Sequence, residues 1–362
     1  MNSNCIYCGV DISKNYSTEH IIPANIGGKL KSNKIVCRKC NSLLGTELDD
    51  ELHNKFGIFD NLLELKKERG KTAKVIAEYD GKKYRLMKGE PVLDTPYPKY
   101  ENNKIKLMVY PNKQVARKLL KRMKRKNPSI NIDVLIKKAI IEEIKFLKPL
   151  TINIDGIDEK TWRICGKIVY GFLRDTFDWY TPSNSLFIEF INGNLTPKDY
   201  PICFGYIDYN PLDKYNDNIY HIIVVEGRED ENIIIGYLEI FNFLKVIMLI
   251  DDNYKSTSFL KGYYHDLVTH QYDYFEPKSK IPVELKELKK LFEDCINLKN
   301  LEFLEQELGN AIQKSKHQRL IKNVLETIFK EYKDKSLEKN DFEQIVRNLL
   351  IDELNKYGMI KE

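Results

Sequence analysis

Two Cys-x-x-Cys pairs, Cys5/Cys8 and Cys37/Cys40, constrain the start of this 362-residue chain more than any other feature. Four thiolates at this spacing can close a tetrahedral zinc site, and a site whose four positions are all taken by protein is structural. Zinc would then brace what lies between and beside the pairs. That is the string Ser17-Thr18-Glu19-His20-Ile21-Ile22-Pro23 and, directly after Cys40, Asn41. A module this small has little apolar core, so its folding free energy would come largely from the metal.

Three further cysteines, Cys165, Cys203 and Cys295, are scattered, which argues against a secreted disulfide framework. No apolar stretch follows a basic start, so no signal peptide is expected. The longest apolar run, Tyr237 to Ile250, is broken by Glu239, Asn242 and Lys245 and reads as two buried elements, with no membrane partner. The expected setting is a reducing cytoplasm. The net charge of +5 is unevenly spread: residues 101–150 carry fourteen Lys and Arg against four Asp and Glu. Lys113 to Lys126 holds eight of those positives and no acid. Val115, Leu119, Leu120 and Met123 recur there at helical spacing, giving an amphipathic helix with a basic face. Arg117, Lys118, Lys121, Arg122, Lys124 and Arg125 are the candidates for contact with nucleic-acid phosphates.

At this length two or three units are expected. Composition marks off 1–55 as the cysteine-braced module, 56–150 as a β-hairpin and basic helical connector, 151–275 as a mixed α/β body and 276–362 as a helical C-terminal region. The class is α+β. Residues 73–79 and 104–110 read as strands, with a turn at Asp80-Gly81 and Pro91, Pro96 and Pro98 between strands. Helices are expected over Ile132–Leu147 and Trp162–Asp178. Residues 186–191, 202–208, 219–226, 232–238 and 245–250 read as strands. From Pro282 to Tyr357 the pattern is almost wholly helical, beginning with Leu285, Leu288, Leu291 and Phe292.

Among the polar residues, His20 stands where a strand would end against a loop, because Pro23 disfavours helix in the residues before it. Gly27-Gly28 permits a tight reversal. Asn41 falls at the start of an expected helix over Asn41–Leu52, a helix end that suits a phosphate. A neutral imidazole can accept a proton near pH 7. A carboxylate oxygen and an amide oxygen are hard ligands for Mg²⁺. The remaining candidates have blander readings. His53 reads as a solvated helix residue, and His221, His265, His270 and His317 as packing or surface groups. Arg163, Lys167 and Arg174 read as solvated helix charges, with phosphate contact as the alternative. Trp179-Tyr180 reads as core or turn packing.

The order Cys5-Ile6-Tyr7-Cys8, Glu19-His20-Ile21-Ile22-Pro23, Gly27-Gly28, Asn33, Cys37-Arg38-Lys39-Cys40-Asn41 resembles the zinc-containing HNH endonucleases over about residues 5–50. The resemblance implies a ββα-metal fold with structural Zn²⁺ on Cys5, Cys8, Cys37 and Cys40. It implies His20 as general base, Glu19 and Asn41 as holders of a catalytic Mg²⁺ or Mn²⁺, and Asn33 pinning the loop that orients His20. Products with 5′-phosphate and 3′-hydroxyl ends are expected. The sequence departs from the family at three places. Glu19 stands where many members have Asp, Asn41 replaces the last His of the family name, and Leu44 stands where a Lys is often found. The loss of the second imidazole favours Mg²⁺ or Mn²⁺.

The leading expectation is thus a metal-dependent endonuclease acting on duplex DNA, with the rest of the chain setting substrate choice or activation. A symmetric homodimer is a natural way to cut both strands. A small-molecule or protein activator is an open partner, and restriction or phage defence is a biology suggested by analogy. The alternatives are an RNA nuclease and a non-catalytic zinc-dependent nucleic-acid-binding protein.

Overall fold

The Cys-braced segment folds as expected of alternating polar and apolar residues interrupted by turn formers. In the computed structural model, which describes residues 4–65, 72–102, 104–140, 146, 150–152, 158–196, 209–212, 218–284, 286–288, 301–332 and 338–356, it begins with a short hairpin. Strand β1 (Glu19–His20) pairs antiparallel with β2 (Lys31–Ser32), Glu19 opposite Ser32 and His20 opposite Lys31. Between them Pro23 opens a single 3₁₀ turn, Ala24–Ile26, that closes on Gly27 with φ of 93°. Gly28 is obligatory for space: a Cβ there would lie 1.9 Å from the Ile22 carbonyl oxygen. Helix α1 (Arg38–Leu44) follows, passes through a π-helical segment, Gly45–Asp49, and continues as α2 (Asp50–Leu63).

The chain divides into two compact units, one formed by Met1–Ala73 with Asp155–Glu353, the other by Lys74–Ile154 with Leu354–Glu362. The second unit contains strands β3 (Val75–Tyr79), β4 (Lys82–Met87), β5 (Glu90–Leu93), β6 (Tyr97–Glu101) and β7 (Lys104–Val109). Helices α3 (Lys113–Lys126) and α4 (Ile132–Lys137) and strand β8 (Thr151–Ile152) complete its regular elements among the described residues. Its main sheet runs β5-β4-β3-β8, and among the described residues β6 pairs only with β7. Asp80 and Gly81 take φ of 46° and 68° and turn β3 into β4. Tyr79, Tyr84 and Phe146 meet edge-on at 5.1–6.5 Å.

Two expectations fail in this unit. Pro91 and Pro98 lie inside β5 and β6, because both strands are at sheet edges where a missing N–H breaks no interior ladder. The helix expected over Ile132–Leu147 stops at Lys137, and 141–145 and 147–149 lie outside the described residues.

The first unit resumes with α5 (Glu159–Thr176), which starts at a capping box made by Asp158 and Thr161. Helix α6 (Leu186–Ile191) replaces the strand expected there, since Phe187, Phe190 and Ile191 bury one helical face. Phe187 packs on Tyr170 of α5, 5.7 Å between ring centroids. Strands β9 (Tyr220–Arg228), β10 (Ile233–Ile240), β11 (Leu244–Asp251), β12 (Phe259–Asp266) and β13 (Tyr272–Phe275) form an antiparallel sheet in the order β11-β10-β9-β12-β13. The last two were missed in the sequence, where Gly262 and the charged Lys261 and Asp266 break the apolar pattern. The strand expected at 202–208, Cys203 and Cys295 lie outside the described residues, as do Leu285, Leu291 and Phe292.

Helices α7 (Leu301–Tyr332) and α8 (Lys339–Lys356) bear out the helical C-terminal pattern. The antiparallel sheets and intervening helices make the protein α+β.

The core of this unit lies on both faces of the sheet. Ile222, Val224, Ile235, Tyr237, Ile247 and Leu249 pack on one side with Tyr209, Ile281, Val283 and Leu288. Helix α5 covers the other side, close enough that a Cβ on Gly236 would lie 2.3 Å from Val169 Cγ1. The buried faces of α5 and α2 tie the Cys module to this sheet. Phe59 stacks on Phe241 with centroids 4.3 Å apart, and Phe56 meets Phe243 edge-on at 5.1 Å. None of the described helices is long and apolar enough to cross a membrane.

Candidate active site

The four cysteine sulfurs converge. All lie within 4.8 Å of one another, and Cys8 Sγ and Cys37 Sγ are 3.8 Å apart. That separation is the edge of a tetrahedron whose centre is ~2.3 Å from each sulfur, the zinc–thiolate distance. Each knuckle is shaped by hydrogen bonds to the backbone. In the first, the Gly9 N–H donates to Cys5 O and the Cys5 N–H to Val10 O, both at 2.8 Å. In the second, Cys37 caps α1, its Sγ accepting from the Cys40 N–H at 3.4 Å. Burial pushes the Cys5 and Cys40 thiols above their ordinary value. Burial also acts to raise Cys37, but hydrogen bonds from the Cys40 N–H and the neighbouring thiols outweigh it and lower that thiol. One favoured thiolate among four clustered sulfurs suits a dication, which would stabilise all four in the ionised form. The residues fit a structural zinc.

Beside the knuckles, the alternation of β1 sends its two side chains apart. Glu19 turns inward and is 2% exposed, while His20 is half-buried at a cleft of about 460 Å³. Helix α1 forms the opposite wall. Asn41 stands in its second turn and donates from Nδ2 to Ser17 Oγ at 2.8 Å and to the Thr18 carbonyl at 2.9 Å. With its N–H groups engaged, Oδ1 is what Asn41 has to offer a cation. Arg38, Gly45, Asp49 and Asp50 continue this wall. Gly45 opens it, because a Cβ there would meet only Asp49 Oδ2, at 3.8 Å. Thus Glu19, His20 and Asn41 share one cleft, as the motif order suggests.

Asn33 does not reach this cleft. It is exposed on the bend after β2, where Ser32 Oγ accepts the Lys34 N–H at 3.3 Å. The loop behind His20 is held instead by the Ile21 N–H to Leu30 O and the Gly28 N–H to Pro23 O. Asn25 Nδ2 adds a bond to Asp49 O at 3.0 Å. His53 makes a 3.5 Å contact with Asp60 away from the cleft. His221 and His265 are buried in the sheet, as a packing role requires. The candidate phosphate-contacting residues of α3 lie in the second unit, their helix burying only Ala116 and Leu120 and capped by Asn112. Trp179 is exposed and Tyr180 is buried, its hydroxyl donating to Asp251 at 2.8 Å.

Two groups that the sequence suggests are solvated helix charges are instead tied to the wall of the cleft. Lys167 and Arg163 of α5 are buried, not solvated. Lys167 Nζ lies 2.5 Å from Glu19 Oε1 and 2.9 Å from Asp49 Oδ1. Arg163 meets Glu47 at 2.6 Å and donates to Ile191 O at 3.0 Å. Arg174 is buried against the Tyr180 ring. A signal for Lys167 was present: it sits amid the apolar face Ile164, Ile168 and Val169, where a charge must have a partner. Burial works against its ammonium, but the Asp49 and Glu19 carboxylates outweigh that and raise its pKa. Burial and the adjacent Glu19 push the Asp49 carboxyl up against the pull of Lys167.

A hairpin and helix braced by four cysteines, with a histidine, a carboxylate and an amide on one cleft, are what the structure sets at the N-terminus. Residues 5–57 match the family described as HNH endonuclease, and the N-terminal module is an HNH endonuclease domain. Neither the curated proteins nor the solved structures give a match to this chain.

Proposed function

We propose that this protein is a metal-dependent endonuclease that hydrolyses phosphodiester bonds of DNA through the cleft between β1 and α1. The observation that carries this reading is the convergence of His20, Glu19 and Asn41 on one cleft beside the four-cysteine cluster. His20 accepts the proton of the attacking water at a ring nitrogen as that water adds to phosphorus. The bond to the leaving 3′ oxygen breaks in line, leaving 5′-phosphate and 3′-hydroxyl ends. Asn41 Oδ1 and Glu19 would hold one Mg²⁺ or Mn²⁺, hard oxygen donors for a hard cation. That cation, when bound, would offset negative charge building on the phosphate and leaving oxygens. Asn33, exposed on its bend, contributes to this scheme only through the module's fold.

A histidine ring nitrogen within reach of a bound water is a usual general base for such a step. The exposed basic face of α3 supports a polyanionic substrate, with Arg117, Lys118, Lys121, Arg122, Lys124 and Arg125 as phosphate contacts. The small module has few groups for reading bases, so the remainder of the chain sets target choice, as a restriction or defence nuclease would need.

The test is cleavage of supercoiled plasmid, single-stranded DNA and structured RNA by wild type and His20→Ala in Mg²⁺, Mn²⁺ or EDTA. Metal-dependent nicking of DNA by wild type alone is expected. The variant should keep its zinc and its circular dichroism and lose at least ~10²-fold in rate. Cleavage confined to RNA would replace the substrate class, and equal cleavage by the variant would remove His20 from the chemistry.

A further inference from the structure

The buried ammonium of Lys167 comes from α5, more than a hundred residues beyond the matched segment, yet both its carboxylate partners line the cleft. Lys167 is 1% exposed, and its two partners arrive from different elements: Glu19 from β1, and Asp49 from the end of the π-helical segment. Such segments are frequent at functional sites because they redirect side chains that an unbroken α-helix would place elsewhere. Arg163, one turn earlier on α5, grips Glu47 of the same segment at 2.6 Å. Helix α5 therefore fixes the cleft wall at two points.

We propose that Lys167 is a positioning residue for the cleft, holding Glu19 by Oε1 and occupying the deep space between Glu19 and Asp49. The inference rests on the endonuclease reading. One Glu19 oxygen is committed to Lys167, so the other serves a cation at the mouth, beside Asn41 and His20. The ammonium also denies the deep carboxylate pair to a metal ion. Two carboxylates and one ammonium leave a single negative charge, enough to attract a hydrated Mg²⁺ without drawing it inward. The body of the protein thereby sets the geometry of a site whose motif lies wholly in the N-terminal module.

The roles of ordinary ion pair and positioning group predict different behaviour of Lys167→Met in the full chain. Mn²⁺ binding is followed by electron paramagnetic resonance without nucleic acid, and single-turnover cleavage is measured at saturating Mn²⁺. Zinc content and circular dichroism report folding. Removing the ammonium should tighten Mn²⁺ binding several-fold, because the ion can now bridge Glu19 and Asp49, while the saturated cleavage rate falls at least ~10-fold. The double variant Lys167→Met/Asp49→Asn restores the original charge count and relieves the buried repulsion, so it covers the case in which the single variant does not fold. Its Mn²⁺ affinity should return toward wild type while its cleavage stays slow.

Wild-type affinity and rate in both variants would reduce Lys167 to a space-filling ion pair and overturn the proposal. Tighter binding with faster cleavage would overturn it differently, making Lys167 a block on the site. Absence of cleavage by wild type would sink the nuclease reading alone, since the Mn²⁺ measurement still decides where Lys167 places the ion.

Discussion

At the scale of single residues, the buried histidines report how the sheet meets the Cys module. His221 is fully buried, with Nε2 3.1 Å from Ile26 O of the module and Nδ1 accepting the Phe241 N–H at 3.3 Å. One nitrogen donates and the other accepts, which only the neutral ring can do. Burial, aided by nearby His265, pushes its pKa down to about 3. His265 is equally buried, neither of its ring nitrogens finding a hydrogen-bond partner among the described residues. Burial together with His270 and Lys29 pushes it to about 4 against the pull of Asp266. Both folded values lie below the unfolded ~6.5, so the unfolded chain binds more protons as the pH falls through that window. Their stability contribution is complete above about pH 6.5 and is lost progressively toward pH 3–4. Urea unfolding at pH 7.5 and pH 5 should differ by ~2 kcal/mol for each ring. His265→Phe should remove its own share of that difference, since no described residue offers the ring a hydrogen bond. An unchanged pH dependence in that variant would show that His265 titrates normally in the folded protein.

At the scale of elements, α3 carries a testable surface. Its basic residues cover the face left by buried Ala116 and Leu120, and Asp133 of α4 approaches one of them, Arg117, at 3.7 Å. Exposed pairs of this kind contribute little. If the face meets DNA, changing Lys121, Arg122, Lys124 and Arg125 to Gln should reduce the slope of log K against log salt by up to ~3–4. A slope equal to wild type would take α3 out of the interface. The same scale shows where residue patterns misled. The apolar run 186–191 fits a buried strand and a buried helix alike. Its outcome as α6 goes with tertiary packing, since the helix buries Phe187, Phe190 and Ile191 together, with Phe187 against Tyr170 of α5. Strands β5 and β6 hold prolines that would be excluded from a central strand, and edge position is not visible in a local window.

At the scale of the whole molecule, the HNH module is bound into its unit by more than the cysteines. Tyr7 packs near Tyr170, Lys55 pairs with Asp158 at 2.8 Å, and Arg319 of α7 donates to the Asn61 carbonyl at the end of α2. Loss of zinc should therefore destabilise the first unit as a whole. Cys37→Ser is expected to lose the bound zinc and lower stability by several kcal/mol. Calorimetry should show the transition of the five-stranded sheet move down with that of the module. A sheet transition that stays at the wild-type temperature would mean that module and body unfold independently.

What the sequence determined by itself is local in origin. The knuckle spacing, the Glu19-His20 step on a strand and Asn41 near a helix start each depend on neighbours within a few dozen residues, and the structure clusters the four cysteines and sets Glu19, His20 and Asn41 on one cleft. The period of α5 and the runs of β9, β10 and β11 are likewise written in adjacent residues. Tertiary structure decided the rest. Lys167 meets Asp49 across 118 positions of sequence, and no periodicity links an ammonium in one helix to carboxylates in another element. Asn33 matches the motif order yet faces solvent, because pairing register and not spacing sets which side of a two-residue strand its neighbours occupy. A charge amid an apolar face demands a partner through its desolvation cost, but only the packing of α5 against both hairpin and sheet determines which partner answers.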